Sequence, residues 1–168
     1  MIFDVSSVTI EKAFLIALAS EKEAHAVYKK LHDMVNNFVL KDKLKFLMNE
    51  EKKHQKILIE LSKRVIPDID VKKKEKSILP KLTLSITEDS SVTDLLELAV
   101  ESEQISESFY DQLAQKMEYR GIAEILNYLA SMEHGHYFLL KGELELCLKD
   151  EQYYNRGDFQ YDMVHIGP

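Results

Sequence analysis

Glu51-Lys52-Lys53-His54 and Glu133-His134-Gly135-His136 decide how this sequence is read. Each is a Glu-x-x-His, and on an α-helix residues three apart share a face. A carboxylate and an imidazole on adjacent turns can therefore reach one metal ion. A four-helix bundle that holds two metal ions uses two such helices and one Glu from each of the other two. Glu21 and Glu101 are the candidates for that second pair.

Each candidate falls inside an apolar helical row. The first row is Ile10, Phe14, Ala17, Leu18, Glu21, Ala24, Tyr28, Leu31 and Val35, with Ser7 or Thr9 available as N-cap. The second helix, from about Val39 to Arg64, carries Leu40, Leu44, Leu47, Glu51, His54, Leu58 and Leu61, with Glu50 and the Lys52-Lys53 pair to the sides. Ser91 and Asp94 have capping-box spacing and open a third helix with Leu95, Leu98, Glu101, Ile105, Phe109, Leu113 and Met117. Gly121 is expected to break that run. A fourth helix from Ile122 to about Lys149 then presents Ile122, Ile125, Leu126, Leu129, Glu133, His136, Leu140 and Leu144.

Between Val65 and Ser90 the period is lost. Pro67 and Pro80 stop helices, Lys72 to Lys76 is a charge run, and Leu82, Leu84 and Ile86 alternate as a short extended piece would. The segment is long for a bundle loop and suits a crossover from one end of the bundle to the other between the second and third helices. The organisation expected is one all-α bundle over residues 1–150, with the crossover at about 65–90 and an extended tail over 151–168. The tail is expected to pack on the bundle or on a neighbouring subunit.

Chance explains one Glu-x-x-His but not the order. Random placement of 18 Glu and 6 His in 168 residues gives roughly 0.6 matches. Here a lone Glu precedes each match, Glu21 before Glu51 and Glu101 before Glu133, as if one hairpin were used twice. Ser-Ser-Val-Thr occurs at Ser6 and at Ser90, but Glu21 lies farther from its copy than Glu101 does. The difference suggests a first helix one turn longer at its start. Four ionised carboxylates buried in apolar rows would each cost several kcal/mol unless paired. No Lys or Arg lies in any of the four rows, whereas two divalent cations offset four negative charges and leave two histidines as nitrogen donors. Carboxylate and imidazole suit iron or manganese, and also zinc. Tyr28, two turns beyond Glu21, could hydrogen-bond a ligand from behind, although core packing explains it as well.

The rest of the composition bounds the setting. A formal charge of −7 argues against nucleic acid as partner. A single cysteine, Cys147, excludes an internal disulfide and any four-cysteine metal site, and reads as a small buried hydrophobe. The N-terminus lacks the basic segment and apolar core of a signal peptide, and no apolar run reaches membrane-spanning length, so a cytoplasmic setting without membrane contact is expected. His25, His32 and His134 fall outside the Glu rows and read as surface residues, and His165 in the tail has no evident partner.

Ala17-Leu18-Ala19-Ser20-Glu21 with Ala24 and Tyr28, Glu51-Lys52-Lys53-His54, Ala99-Val100-Glu101, and Glu133 with His136 together resemble the rubrerythrin or erythrin-like branch of the ferritin-like superfamily. The likeness runs over about residues 8 to 148. It implies a ferritin-like four-helix bundle with two iron ions on Glu21, Glu51, His54, Glu101, Glu133 and His136, of which Glu51 and Glu133 would bridge. It also implies redox chemistry with peroxide or dioxygen, or else non-catalytic or ferroxidase-type handling of iron. Rubrerythrins carry a rubredoxin domain with four cysteines, and this chain has no such module. Its electrons would come from an external donor such as a rubredoxin-like protein. They also carry a second glutamate one turn after the lone one on the third helix, associated with a metal shift during peroxide turnover, where the alignment on Glu101 puts Gln104. Ferritin-like bundles often pair, so the resemblance further implies a homodimer.

Overall fold

The computed structural model describes residues 5–78 and 91–150. A single 3-10 turn, Val5–Ser7, leads into four helices: α1 (Ile10–Met34), α2 (Phe38–Val65), α3 (Val92–Gln115) and α4 (Arg120–Lys149). No strand occurs among the described residues, in agreement with an all-α bundle. The alternating Leu82, Leu84 and Ile86 and the 151–168 tail lie outside the described residues.

Local chemistry sets the helix starts. The Thr9 hydroxyl accepts from the Lys12 amide, and the Asn37 side chain accepts from the Leu40 amide. Ser91 and Asp94 close a full capping box, the Asp94 amide donating to the Ser91 hydroxyl and the Ser91 amide to the Asp94 carboxylate. The expected break at Gly121 is not there. Gly121 sits inside the first turn of α4, and the chain turns at Lys116 to Tyr119. A glycine in a first turn forgoes few helix hydrogen bonds, so its weak propensity is not decisive at that position.

Short connections make two antiparallel hairpins, α1–α2 and α3–α4, each closely packed along its length. The hairpins meet with α1 on α3 and α2 on α4. Lys43 on α2 and Glu143 on α4 form an ion pair across the second of these contacts.

The core has two halves. Phe14, Leu18, Leu58, Leu61, Phe109, Leu113, Leu126 and Leu129 fill one end. Tyr28, Leu31, Leu40, Leu44, Leu47, Leu95, Leu96 and Leu140 fill the other. Fully burying each Leu contributes about 1.5–3 kcal/mol, enough to carry a costly polar layer. That layer lies where the two halves meet.

Candidate metal centre

Counting along each helix locates the layer. On α1 the apolar run changes ends between Leu18 and Ala24, and Glu21 stands between them. On α2 the change falls between Leu47 and Leu58, with Glu51 and His54 inside it. On α4 it falls between Ala130 and Leu140, around Glu133 and His136. All five of these side chains are buried to 3% exposure or less.

On α3 the change falls between Ala99 and Phe109, and the carboxylate inside it is Glu103, 2% exposed. Glu101 is exposed to solvent and takes no part. Two residues along a helix is a rotation of roughly 200°, which carries a side chain from the core to the far side. The error has a physical source. The inward face of α3 near the site is Ala99, Ser102, Glu103 and Ser106, small or polar, while Leu98 and Ile105 are only half-buried beside it. Hydrophobicity therefore points to the wrong stripe. Gln104 is exposed as well, and the residue one turn beyond Glu103 is the buried Ser106.

With Glu103 in place the internal repeat becomes regular. Glu21, Tyr28, Glu51 and His54 map onto Glu103, Tyr110, Glu133 and His136 with a constant offset of 82 residues. The same offset relates the caps Thr9 and Ser91, and Asn37 and Tyr119. It also relates the buried Ser20 and Ser102, whose hydroxyls donate to the carbonyls of Ile16 and Leu98. Each lone Glu thus lies 12 residues past its cap, and α1 is not a turn longer at its start.

The six groups converge. His54 Nδ1 lies 3.0 Å from Glu133, 3.3 Å from Glu21 and 3.6 Å from Glu51. His136 Nδ1 lies 3.1 Å from Glu133, 3.5 Å from Glu51 and 3.7 Å from Glu103. The donors form two overlapping sets, Glu21, Glu51, His54 and Glu133, and Glu51, Glu103, Glu133 and His136. Glu51 and Glu133 belong to both, the arrangement two neighbouring cations sharing two carboxylates would need.

Two tyrosines the donor sets do not include tie the hairpins together. Tyr110 on α3 donates its hydroxyl to Glu21 on α1, and Tyr28 on α1 donates to Glu103 on α3. Tyr28 thus hydrogen-bonds a candidate ligand, the glutamate of the opposite hairpin. Tyr110 could be read from the sequence only after the offset of 82 is known. Burial, with Glu21 and Glu133 beside it, drives the Tyr110 hydroxyl well above its ordinary pKa and keeps it a donor.

Charge at the site is balanced by protons. Burial, reinforced by Glu51 and Glu133, raises the Glu21 carboxyl well above the usual range. Burial and the Glu133 charge do the same to Glu103. Burial disfavours the imidazolium of His136, yet the carboxylates of Glu103, Glu133 and Glu51 outweigh it and push the group up to about 12. His54 is raised in the same way by Glu133, Glu21 and Glu51. Glu51 and Glu133 are held low by their hydrogen-bonding neighbours in spite of burial. The raised Glu21, Glu103, His54 and His136 all favour their protonated forms, which offsets the negative charge of Glu51 and Glu133.

Several of these buried atoms make no well-formed hydrogen bond. Glu21 Oε2, Glu51 Oε1, Glu133 Oε1 and His54 Nδ1 meet one another and His136 only as crowded ion-pair contacts of 3.0–3.5 Å. An orphaned buried polar atom costs about 1–3 kcal/mol, so native structures rarely keep several together without a use for them. Oxygen and nitrogen donors turned toward a common centre fit a pair of divalent cations.

The family model for rubrerythrin matches residues 12–144. The chain belongs to the rubrerythrin family. A solved structure of a hypothetical protein from Pyrococcus furiosus is similar to this rubrerythrin-family bundle, with a TM-score of 0.79 and 30% identity over 86% of this chain and 94% of that one. A comparison with curated proteins returns no match. The four helices, the two-set donor cluster and the family model agree on a ferritin-like bundle whose buried Glu and His side chains can hold metal. No described helix is long and apolar enough to cross a membrane.

Proposed function

We propose that the chain is a di-iron carboxylate protein that reacts with peroxide or dioxygen and is returned to its reduced state by an external electron donor. The observation that carries this reading is the pair of overlapping donor sets sharing Glu51 and Glu133, whose buried oxygen and nitrogen atoms crowd one another without well-formed hydrogen bonds. Glu21, Glu51 and His54 with Glu133 would hold one ion, and Glu103, Glu133 and His136 with Glu51 the other. When bound, the metal pair would supply the one-electron redox steps.

The protein's own part is electrostatic and steric. Phe14, Leu18, Leu44, Leu47 and their neighbours close both ends of the layer and exclude water. Tyr28 and Tyr110 fix the two terminal carboxylates by hydrogen bonds from the opposite hairpin, which limits where their free oxygens can point.

One observation favours a second reading, non-catalytic or ferroxidase-type iron handling. Ser106 stands three residues beyond Glu103, where the resemblance calls for a second glutamate, and the carboxylate four beyond, Glu107, is engaged by His134 toward the surface. Stopped-flow oxidation of the diferrous protein separates the readings. Fast reaction with peroxide or dioxygen is expected, and slow reaction with both defeats the redox proposal.

A further inference from the structure

Glu50 was read from sequence as a flank of α2, yet it is only 6% exposed. One carboxylate oxygen of Glu50 and one ring nitrogen each of His54 and His136 lie within 4.8 Å of one another. This group contains none of Glu21, Glu51, Glu103 or Glu133. Both histidines direct Nδ1 at those inner carboxylates, and both Nε2 atoms are buried without a partner. Glu50 lies one turn before His54 on the same helix, and Lys53 engages its Oε1 from the exposed side. A carboxylate offers about four lone-pair positions, so Lys53 does not exhaust it.

We propose that Glu50 is a positioning residue that, once metal holds both Nδ1 atoms, closes the remaining gap and accepts the Nε2–H groups of His54 and His136, fixing the ring orientation that turns both Nδ1 atoms into the metal centre. The inference rests on the di-metal reading above. A neutral imidazole has one lone pair on nitrogen. If Nδ1 gives it to a cation, Nε2 must carry hydrogen, and a buried N–H needs an acceptor. The same logic rules out Glu50, His54 and His136 as a further cation site while both Nδ1 atoms are in use. The device exists in one half of the molecule only, because the residue 82 positions after Glu50 is Met132. One carboxylate serves two stacked rings, whose centroids are 5.5 Å apart.

The test uses the full chain, loaded with zinc and labelled with nitrogen-15 at histidine. Wild type is expected to bind two zinc ions and to show metal-shifted Nδ1 signals with downfield, slowly exchanging Nε2–H protons on His54 and His136. Glu50→Met, which copies the residue of the other half, should still fold and take zinc, but with roughly 10–100-fold weaker affinity. Its Nε2–H protons should move upfield and exchange faster. Glu50→Gln keeps a carbonyl acceptor and should restore part of both effects, while Lys53→Ala should leave the Nε2–H protons in place. Unchanged Nε2–H signals in Glu50→Met overturn the assignment, as does a third zinc ion lost with Glu50. A wild-type protein that fails to hold two ions overturns the di-metal reading itself, and this inference with it.

Discussion

Loading the site with metal should expel about four protons. Without metal, His54, His136, Glu21 and Glu103 are all raised above their ordinary values, so each favours its protonated form. Two divalent cations bring the same positive charge and need the same atoms, so ions and protons compete one for two. The sign follows: protons oppose binding, and apparent affinity rises with pH. His136 is pushed up to about 12, so the competition spans the whole neutral range and does not fade near the usual histidine value. At 1.36 kcal/mol per proton per pH unit, four protons change the free energy of two-ion binding by about 5 kcal/mol per unit, or about a hundredfold per ion. The perturbation is titration with zinc or ferrous iron at constant pH. The assay is calorimetry in buffers of different ionisation enthalpy, which counts the protons directly. Release of one proton or none would refute the argument, because the four carboxylates would then be balanced by something other than protons.

Other consequences are simpler to read. Glu103→Ala should cost the protein at least one of its two ions by elemental analysis, whereas Glu101→Ala should bind both and unfold within about 0.5 kcal/mol of wild type. Tyr28→Phe and Tyr110→Phe each remove one hydrogen bond to a terminal carboxylate, worth about 1.5–3 kcal/mol. Because both bonds also form without metal, only the part gained when the carboxylate ionises bears on affinity, and chelator competition should show losses of about tenfold that match between the two; a strongly unequal pair would contradict the twofold repeat. Metal at a hundred times its dissociation constant stabilises by about 2.7 kcal/mol per site, so the fully loaded protein should melt roughly 10–20 °C above the chelated one by calorimetry. Leu47→Ala, at a fully buried position next to the polar layer, should destabilise the metal-free bundle by about 2–5 kcal/mol in urea denaturation.

How far the sequence could be read depended on how much apolar mass each helix placed beside its charged residues. On α2, Leu44, Leu47, Leu58 and Leu61 bracket Glu51 and His54 so closely that only one face can be buried. The same holds for Phe14, Leu18 and Leu31 around Glu21. On α3 the layer is lined by Ala99, Ser102 and Ser106, which carry almost no hydrophobic signal, and the stripe drawn through Leu98 and Ile105 selected Glu101. The duplication would have corrected the choice. Thr9 and Ser91 are caps of equal standing, and Glu103, not Glu101, is as far from its cap as Glu21 is from the other. Glu50 could not have been found by pattern. It has no counterpart in the second half, and its burial shows only once α2 and α4 bring it near His136.

The tyrosine clasp has a consequence for how the pocket comes into being. Since Tyr28 secures Glu103 and Tyr110 secures Glu21, neither hairpin can finish its own share of the site; each completes the other's. The linker between them donates none of the six side chains. Two separate hairpin chains meeting face to face would command the same set of donors.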